Sequence, residues 1–318
     1  MKKQRMVLAL GGNALGSTPG EQLEKARHAA RALADLIAAG HEIIITHGNG
    51  PQVGMIHLGL SAAAQSGVLP AEMPFPECGA MSQGYIGYHL QNSLVNELAA
   101  RGIQKEVAAV ITQVVVDADD PAFSHPTKPI GAFYTEAEAR RVMAETGQVF
   151  REDAGRGWRR VVSSPRPVDV VEKSAIRALV DAGCVVIASG GGGIPVVRRE
   201  DRLEGVPAVI DKDFAAAALA ALAGADQLVI LTAVDQVCLH YGTPQAQPLE
   251  RMTVSQAEKY CVEGHFAPGS MLPKVQAAAG FARKGGVAVI ASLEHAAAAL
   301  RGEGGTRILP DEKGGEAT

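Results

Sequence analysis

Three apolar runs in this chain each end in a glycine turn. Met6–Leu10 runs into Gly11-Gly12-Asn13, and Glu42–Thr46 runs into His47-Gly48-Asn49-Gly50. Val185–Ser189 runs into Gly190-Gly191-Gly192-Gly193. Short β-branched apolar runs of this kind read as buried parallel strands. A glycine turn at the carboxyl end lets backbone N–H groups approach an anion with no Cβ in the way. Open α/β sheets bind ligands outside the carboxyl ends of their strands. A single such turn is also an ordinary way to end a strand, but three together point to one shared anion site.

Strands and helices alternate along nearly all of the 318 residues. The spacing predicts helices over 19–39, 80–101, 168–182, 212–223, 253–262, 270–284 and 294–300, and one opening at Pro51. It predicts strands over 5–10, 42–46, 106–112, 184–188, 227–231, 286–291 and 306–309, with a hairpin-like stretch over 194–210. This is the pattern of βαβ units, a mainly parallel sheet and helices on both faces. One segment breaks it. Residues 117–167 are rich in Pro, Asp, Arg and Gly, with a short helix over 135–146 and a hairpin near Gly155-Arg156-Gly157. An insertion of this length reads as a functional segment such as a lid, or as disordered. The tail 310–318 is polar and reads as frayed.

Several functions are disfavoured by composition. The net charge is −4 and the basic residues are scattered, which argues against a nucleic-acid partner. No apolar stretch approaches the ~18 residues of a membrane span. The N-terminus lacks a signal-peptide pattern. Cys78, Cys184, Cys238 and Cys261 have no metal or disulfide spacing, so a reduced, cytoplasmic chain is expected. Neither a Walker A loop nor GxGxxG is present. The histidines, His47, His57, His89, His125 and His265 among them, lack ligand spacing, so they read as structural or peripheral and no protein-held metal is expected.

Three lysines stand out. Lys212 lies in Asp211-Lys212-Asp213, at the start of an alanine-rich helix where the helix dipole opposes a cation. A residue that breaks a local rule in this way points to a ligand, with Asp211 or Asp213 orienting the lysine. Lys274 opens the next helix within Gly269–Lys274. Lys128 stands between Pro126 and Pro129 in the insertion, where a stiff backbone suits a charge delivered by a lid. Taken singly, each could also be a solvated lysine.

The motifs together resemble the carbamate kinases of the amino-acid kinase superfamily. The matching segments are LALGGNAL (8–15), THGNGPQVG (46–54), AMSQGYIGY (80–88), DPAF (120–123), PTKPIG (126–131), EDAGRGWRRVV (152–162), 188–196, 208–214 and GHFAPGSMLPKV (264–275). The resemblance implies an α/β, three-layer αβα sandwich with a protruding lid subdomain. It implies an N-terminal lobe (1–210) holding the acceptor and a C-terminal lobe (211–318) holding the nucleotide. It further implies a homodimer, Mg2+ brought with ATP or ADP, and reversible conversion of ATP and carbamate to ADP and carbamoyl phosphate. The catalytic set carried over is Lys128, Lys212, Asp213 and Lys274. Gly11, Gly12, Asn13, Gly48, Asn49, Gly50, Gly191 and Gly192 would meet the substrate. Asp211, Thr232, Ala233, Tyr241, Ser270 and Met271 would meet the nucleotide. Acetylglutamate kinases carry a lysine where Ala9 stands, and the resemblance implies that Lys128 supplies that charge.

Four positions depart from the family pattern: Met55, Ser164, Ala233 and Cys238. They leave open a related kinase for another small carboxylate, or a low-turnover protein that binds carbamoyl phosphate or nucleotide. The intact four-residue set argues against the latter. Arg159 and Arg160, in the insertion, are candidate contacts for a second carboxylate. Residues 84–88, with Leu90 and Leu94, are a candidate partner face.

Overall fold

A computed structural model describes residues 3–11, 18–153 and 155–312. Gly12 and Asn13, and 313–318 of the tail, lie outside the described residues. In chain order the strands are β1 (Arg5–Leu10), β2 (Glu42–His47), β3 (Val107–Ala109), β4 (Gln113–Val116), β5 (Lys128–Tyr134), β6 (Phe150–Glu152), β7 (Trp158–Val162), β8 (Pro167–Val170) and β9 (Val185–Ile187). They continue as β10 (Ile194–Arg199), β11 (Arg202–Gly205), β12 (Gln227–Thr232), β13 (Val237–Leu239), β14 (Gln247–Leu249), β15 (Arg251–Thr253), β16 (Val287–Ser292) and β17 (Thr306–Leu309). The helices are α1 (Pro19–Ala38), α2 (Gly50–Gln65), α3 (Phe75–Ala100), α4 (Glu136–Thr146), α5 (Lys173–Asp181), α6 (Lys212–Ala223), α7 (Val254–Val262), α8 (Met271–Ala282) and α9 (Ala296–Arg301).

Eight strands form the central sheet in the order β15-β17-β16-β12-β1-β2-β9-β3. Every neighbouring pair is parallel except β16 with β17. Alternation along each strand builds the layers. In β1, Val7 and Ala9 face the core shared with α5, α6, α7 and α8. Met6, Leu8 and Leu10 face the opposite core, shared with α1, α3 and α9. The three-layer αβα expectation therefore holds. No break in the sheet marks residue 210, since β1 pairs directly with β12.

The structure corrects three expected elements. The strand expected over 106–112 shortens to β3 (Val107–Ala109), and a separate strand, β4, begins at Gln113. β3 joins the central sheet, and β4 joins a second sheet of order β11-β10-β4-β8. The helix expected from 168 starts only at Lys173, because Pro167-Val168-Asp169-Val170 pairs with β4. Glu172 ends that strand by accepting from the backbone N–H of Gln113 (2.7 Å) and its side-chain amide (2.9 Å). Finally, α3 begins at Phe75 rather than near 80, since Pro76 fits a first helical turn.

The insertion is a small folded unit. β5, β7 and β6 make a three-stranded antiparallel sheet, with α4 packed against it. Its two ends meet at Asp120, whose carboxylate accepts from the backbone N–H of Ala122 (2.8 Å) and of Arg166 (2.9 Å). The Arg166 guanidinium lies 3.4 Å over the ring of Phe214 on α6. The unit seats on α2 through a close approach of backbones. A Cβ added at Gly54 would lie 2.2 Å from the Cα of Gly131.

That contact separates two glycines of one helix. Gly54→Ala drives a methyl into backbone and is expected to destabilise the protein by about 1–3 kcal/mol. Gly59 faces open space, and Gly59→Ala is expected to be neutral or stabilising by up to about 1 kcal/mol. Urea midpoints of the two variants measure the difference.

Candidate active site

A cleft of about 1100 Å3 opens at the carboxyl ends of β1, β2 and β12 and is roofed by the insertion. Gly11, Gly48, Asn49, Gly50 and Gly191 stand on its wall, so members of all three glycine turns meet there. Gly192 does not line it. It lies buried behind the wall, where a Cβ would strike the carbonyl of Ile210. Thr232, Ala233, Tyr241, Ser270 and Met271 line the other end, with Asp211. Of the departures from the family pattern, Ala233 and Cys238 are on the wall, whereas Met55 is exposed on α2 and Ser164 is half-buried away from it.

The turns are held by side chains that sequence reasoning did not single out. Gln83 of α3 donates through Nε2 to the carbonyls of Thr112 (3.0 Å) and Gly190 (3.1 Å), and accepts from Thr112 N–H (2.8 Å). Asn49 Nδ2 donates to Ser82 Oγ (2.9 Å). Thr46 Oγ1 donates to the carbonyl of Ser189 (2.9 Å), and Ser189 N–H donates to Thr112 Oγ1 (2.9 Å). Only glycine fits at 191, with φ of +69° and the Asn49 side chain 2.1 Å from any added Cβ. The signal was present in AMSQ, but Ser and Gln on a helix carry no local mark of a long-range bond.

All four residues of the expected catalytic set line the cleft. Asp211 N-caps α6 by accepting from Asp213 N–H (2.9 Å), which places Lys212 in the first turn. Alanine-rich faces let α6 and α8 pack side by side and bring Lys274 to the same point. Asp213 Oδ1 accepts from Lys212 (2.5 Å) and Oδ2 from Lys274 (2.9 Å). Lys128, from the insertion, pairs with Asp211 across the cleft.

The charges do not cancel. Three lysines face two aspartates, and the Lys212 and Asp213 side chains are only 10% and 3% exposed. Burial drives the Lys212 pKa below its ordinary value, against the pull of Asp213. Burial alone would raise Asp213, but Lys212 and Lys274 outweigh it and hold the carboxyl well below the usual range. Net positive charge taken out of water is costly unless an anion answers it. The amino ends of α2 and α8 also open at the cleft, and neither has a side-chain cap. Their first-turn N–H groups are not taken by a capping side chain and suit an anion.

Arg159 is on the wall as well, bonded to Asp153 (3.2 Å) with its Nε buried and unpaired, while Arg160 is not. His265, expected to be peripheral, lines the cleft and stacks edge-on with His240 and Tyr260. His47 is buried below Gly48 and bonds its carbonyl through Nδ1 (2.9 Å). Among the described residues no three or more His, Cys, Asp or Glu side chains form a metal-holding group.

The chain belongs to the amino acid kinase family, whose model matches residues 4–292. Within that family its similar relatives are carbamate kinases. The carbamate kinase of Clostridium perfringens is 55% identical over 312 residues, covering 96% of this chain and 99% of that protein. The carbamate kinase-like protein YqeA of Escherichia coli is 54% identical over 307 residues, covering 96% and 99%. The structure of carbamate kinase from Giardia lamblia bound to AMP-PNP superimposes with a TM-score of 0.88 at 44% identity, covering 97% and 99%.

His47 makes stability depend on pH. Burial pushes its pKa from 6.5 down to about 4, so the folded state keeps it neutral while the unfolded chain protonates. Stability therefore falls as pH drops below about 6.5, and the loss levels off below about 4. It reaches about 2 kcal/mol by pH 5. Asp213 is lost only at still lower pH. His47→Gln is expected to remove about 2 kcal/mol from the difference in unfolding free energy between pH 7.5 and pH 5, as measured by urea titration.

Proposed function

We propose that this chain catalyses reversible phosphoryl transfer between ATP and carbamate, giving ADP and carbamoyl phosphate. The observation that carries the reading is the buried Lys212–Asp213–Lys274 cluster, faced by Lys128, at the meeting point of the glycine turns. The carbamate kinase relatives support the same reading.

Carbamate is already an anion, so its oxygen needs no general base. Phosphoryl transfer then rests on positioning and charge stabilisation. Lys212 and Lys274 meet the charge spread over the equatorial oxygens of the transferring group. Asp213 holds both ammonium groups in place. Lys128 leaves Asp211 for the phosphate when the nucleotide arrives. The Gly48–Gly50 turn and Gly191 hold the acceptor, with Gly11 on the same wall. Thr232, Ala233, Tyr241, Ser270 and Met271 take the nucleotide. In this reading 1–210 form the acceptor lobe and 211–318 the nucleotide lobe, and 117–167 act as the lid.

Asp213 is committed to both Lys212 and Lys274, and Asp211 alone offers too few oxygens to cage magnesium. Mg2+ enters as part of the magnesium nucleotide, held by its phosphates. The free cysteines suit a reducing cytoplasm, and among the described residues no helix is long and apolar enough to cross a membrane.

We also propose a homodimer. Of the candidate partner face, Ile86, Leu90 and Leu94 belong to the core. The large apolar residues exposed on α3 are Met81, Tyr88 (62% exposed) and Val95, seven apart on one stripe. Light scattering at micromolar concentration is expected to give twice the chain mass, and Tyr88→Glu to shift it toward the monomer. A monomeric wild type rules the dimer out.

Purified protein is expected to form ATP from ADP and carbamoyl phosphate in the presence of Mg2+, and not from acetylglutamyl phosphate. Lys212→Ala is expected to lower turnover by about 10²–10³-fold, as for loss of one transition-state charge donor. A folded protein that binds nucleotide but makes no ATP from carbamoyl phosphate would move the acceptor to another small carboxylate.

A further inference from the structure

A second cavity, of about 220 Å3, lies between the lid and the body and shares no lining residue with the catalytic cleft. Arg160 and Val162 of β7 form its lid side. His57 of α2, Glu72, Met73 and Phe75 form its body side. Arg156 and Arg159 both pair with Asp153. Among the described residues no carboxylate comes within ion-pair distance of Arg160. Its Nη1 donates to Nδ1 of His57 (3.3 Å), and its guanidinium lies 5.8 Å from the centre of the Phe75 ring. A guanidinium has five N–H donors in a fork that matches a carboxylate. Here one is used, on a neutral ring, and the rest are half-buried. Burial lowers the Arg160 pKa and likewise that of His57, so the pocket holds a desolvated cation without an anion against it. Glu72 is exposed at the rim and acts on both groups through its charge without touching either. Met73, Phe75 and Val162 are apolar. The cavity thus combines one cation, one anion and an apolar lining.

We propose that this cavity binds a small apolar α-amino acid, with its carboxylate on Arg160, its ammonium toward Glu72 and its side chain on Met73, Phe75 and Val162. Such a ligand bridges the lid to the body and restrains the unit that carries Lys128. The proposal does not depend on which acceptor the cleft uses.

The test is calorimetric titration of the full chain with L-leucine and L-valine, with a non-hydrolysable ATP analogue present to keep the main cleft filled. Saturable one-to-one binding is expected. 4-Methylpentanoate, which lacks the ammonium, and isoamylamine, which lacks the carboxylate, are each expected to bind at least about tenfold more weakly, the loss of one charged hydrogen bond. Arg160→Gln and Glu72→Gln are expected to weaken leucine binding by a similar factor. Glu72 is at the surface, so that variant tests the site even if Arg160→Gln fails to fold. The proposal is overturned if neither amino acid binds at millimolar concentration, if 4-methylpentanoate binds as well as leucine, or if Glu72→Gln leaves leucine affinity unchanged.

Discussion

One carboxylate between two ammonium groups organises this molecule. Asp213 is almost fully buried, and its two oxygens go to lysines from different helices. Each partner alone would be untenable in that position. An unpaired buried carboxylate would protonate, and an unpaired buried lysine would deprotonate or force the helix open. The packing of α6 on α8, the Asp211 cap and the seating of the lid all serve to keep this triplet together. What remains is an excess of positive charge that is only partly exposed to water. The same electrostatics that weaken the folded protein favour an anion at this point.

The glycine-turn side of the cleft is built by the opposite means, from backbone instead of charge. Glycine turns bring N–H groups close to the cleft, but they are soft by themselves. Their stiffness comes from Gln83, whose amide holds the Gly190 turn and Thr112 at once, and from Asn49 on Ser82. A single helix therefore supports two turns that are far apart in sequence. Ser189, with φ of +50°, is held in a conformation rare for its type at the same junction. Such strain is kept only where neighbours over-determine the backbone.

Much of this could be read from residue order, and the reasons for the gaps are physical. Glycine after an apolar run and lysine in a first helical turn are local violations of preference, so they were visible without a structure. The central sheet and the presence of an insertion followed from periodicity and from its interruption. Pairing that depends on a distant partner was not visible. Val168-Asp169-Val170 reads equally as strand or helix until β4 is beside it, and Thr112 hides a change of sheet within one apolar stretch. Gln83 and Asp120 look like surface polar residues until their long-range bonds are seen. Arg159 and Arg160 are adjacent and chemically identical, yet the strand's alternation sends one to the cleft and the other to a separate cavity.

The insertion leaves the body from β4 and returns at β8, which are neighbours in one sheet, and Asp120 ties the two ends together. For the rest of the chain the whole insertion is thus a single short loop. Loop closure depends on the distance between the ends and only weakly on what lies between them. Segments of different length or make-up can be exchanged at this neck with little change in the stability of the sheet, provided the glycine seat on α2 and the delivered lysine are kept. The Lys212–Asp213–Lys274 core belongs to the sandwich, whereas Lys128 belongs to a separately closed module, so one can be altered without rebuilding the other.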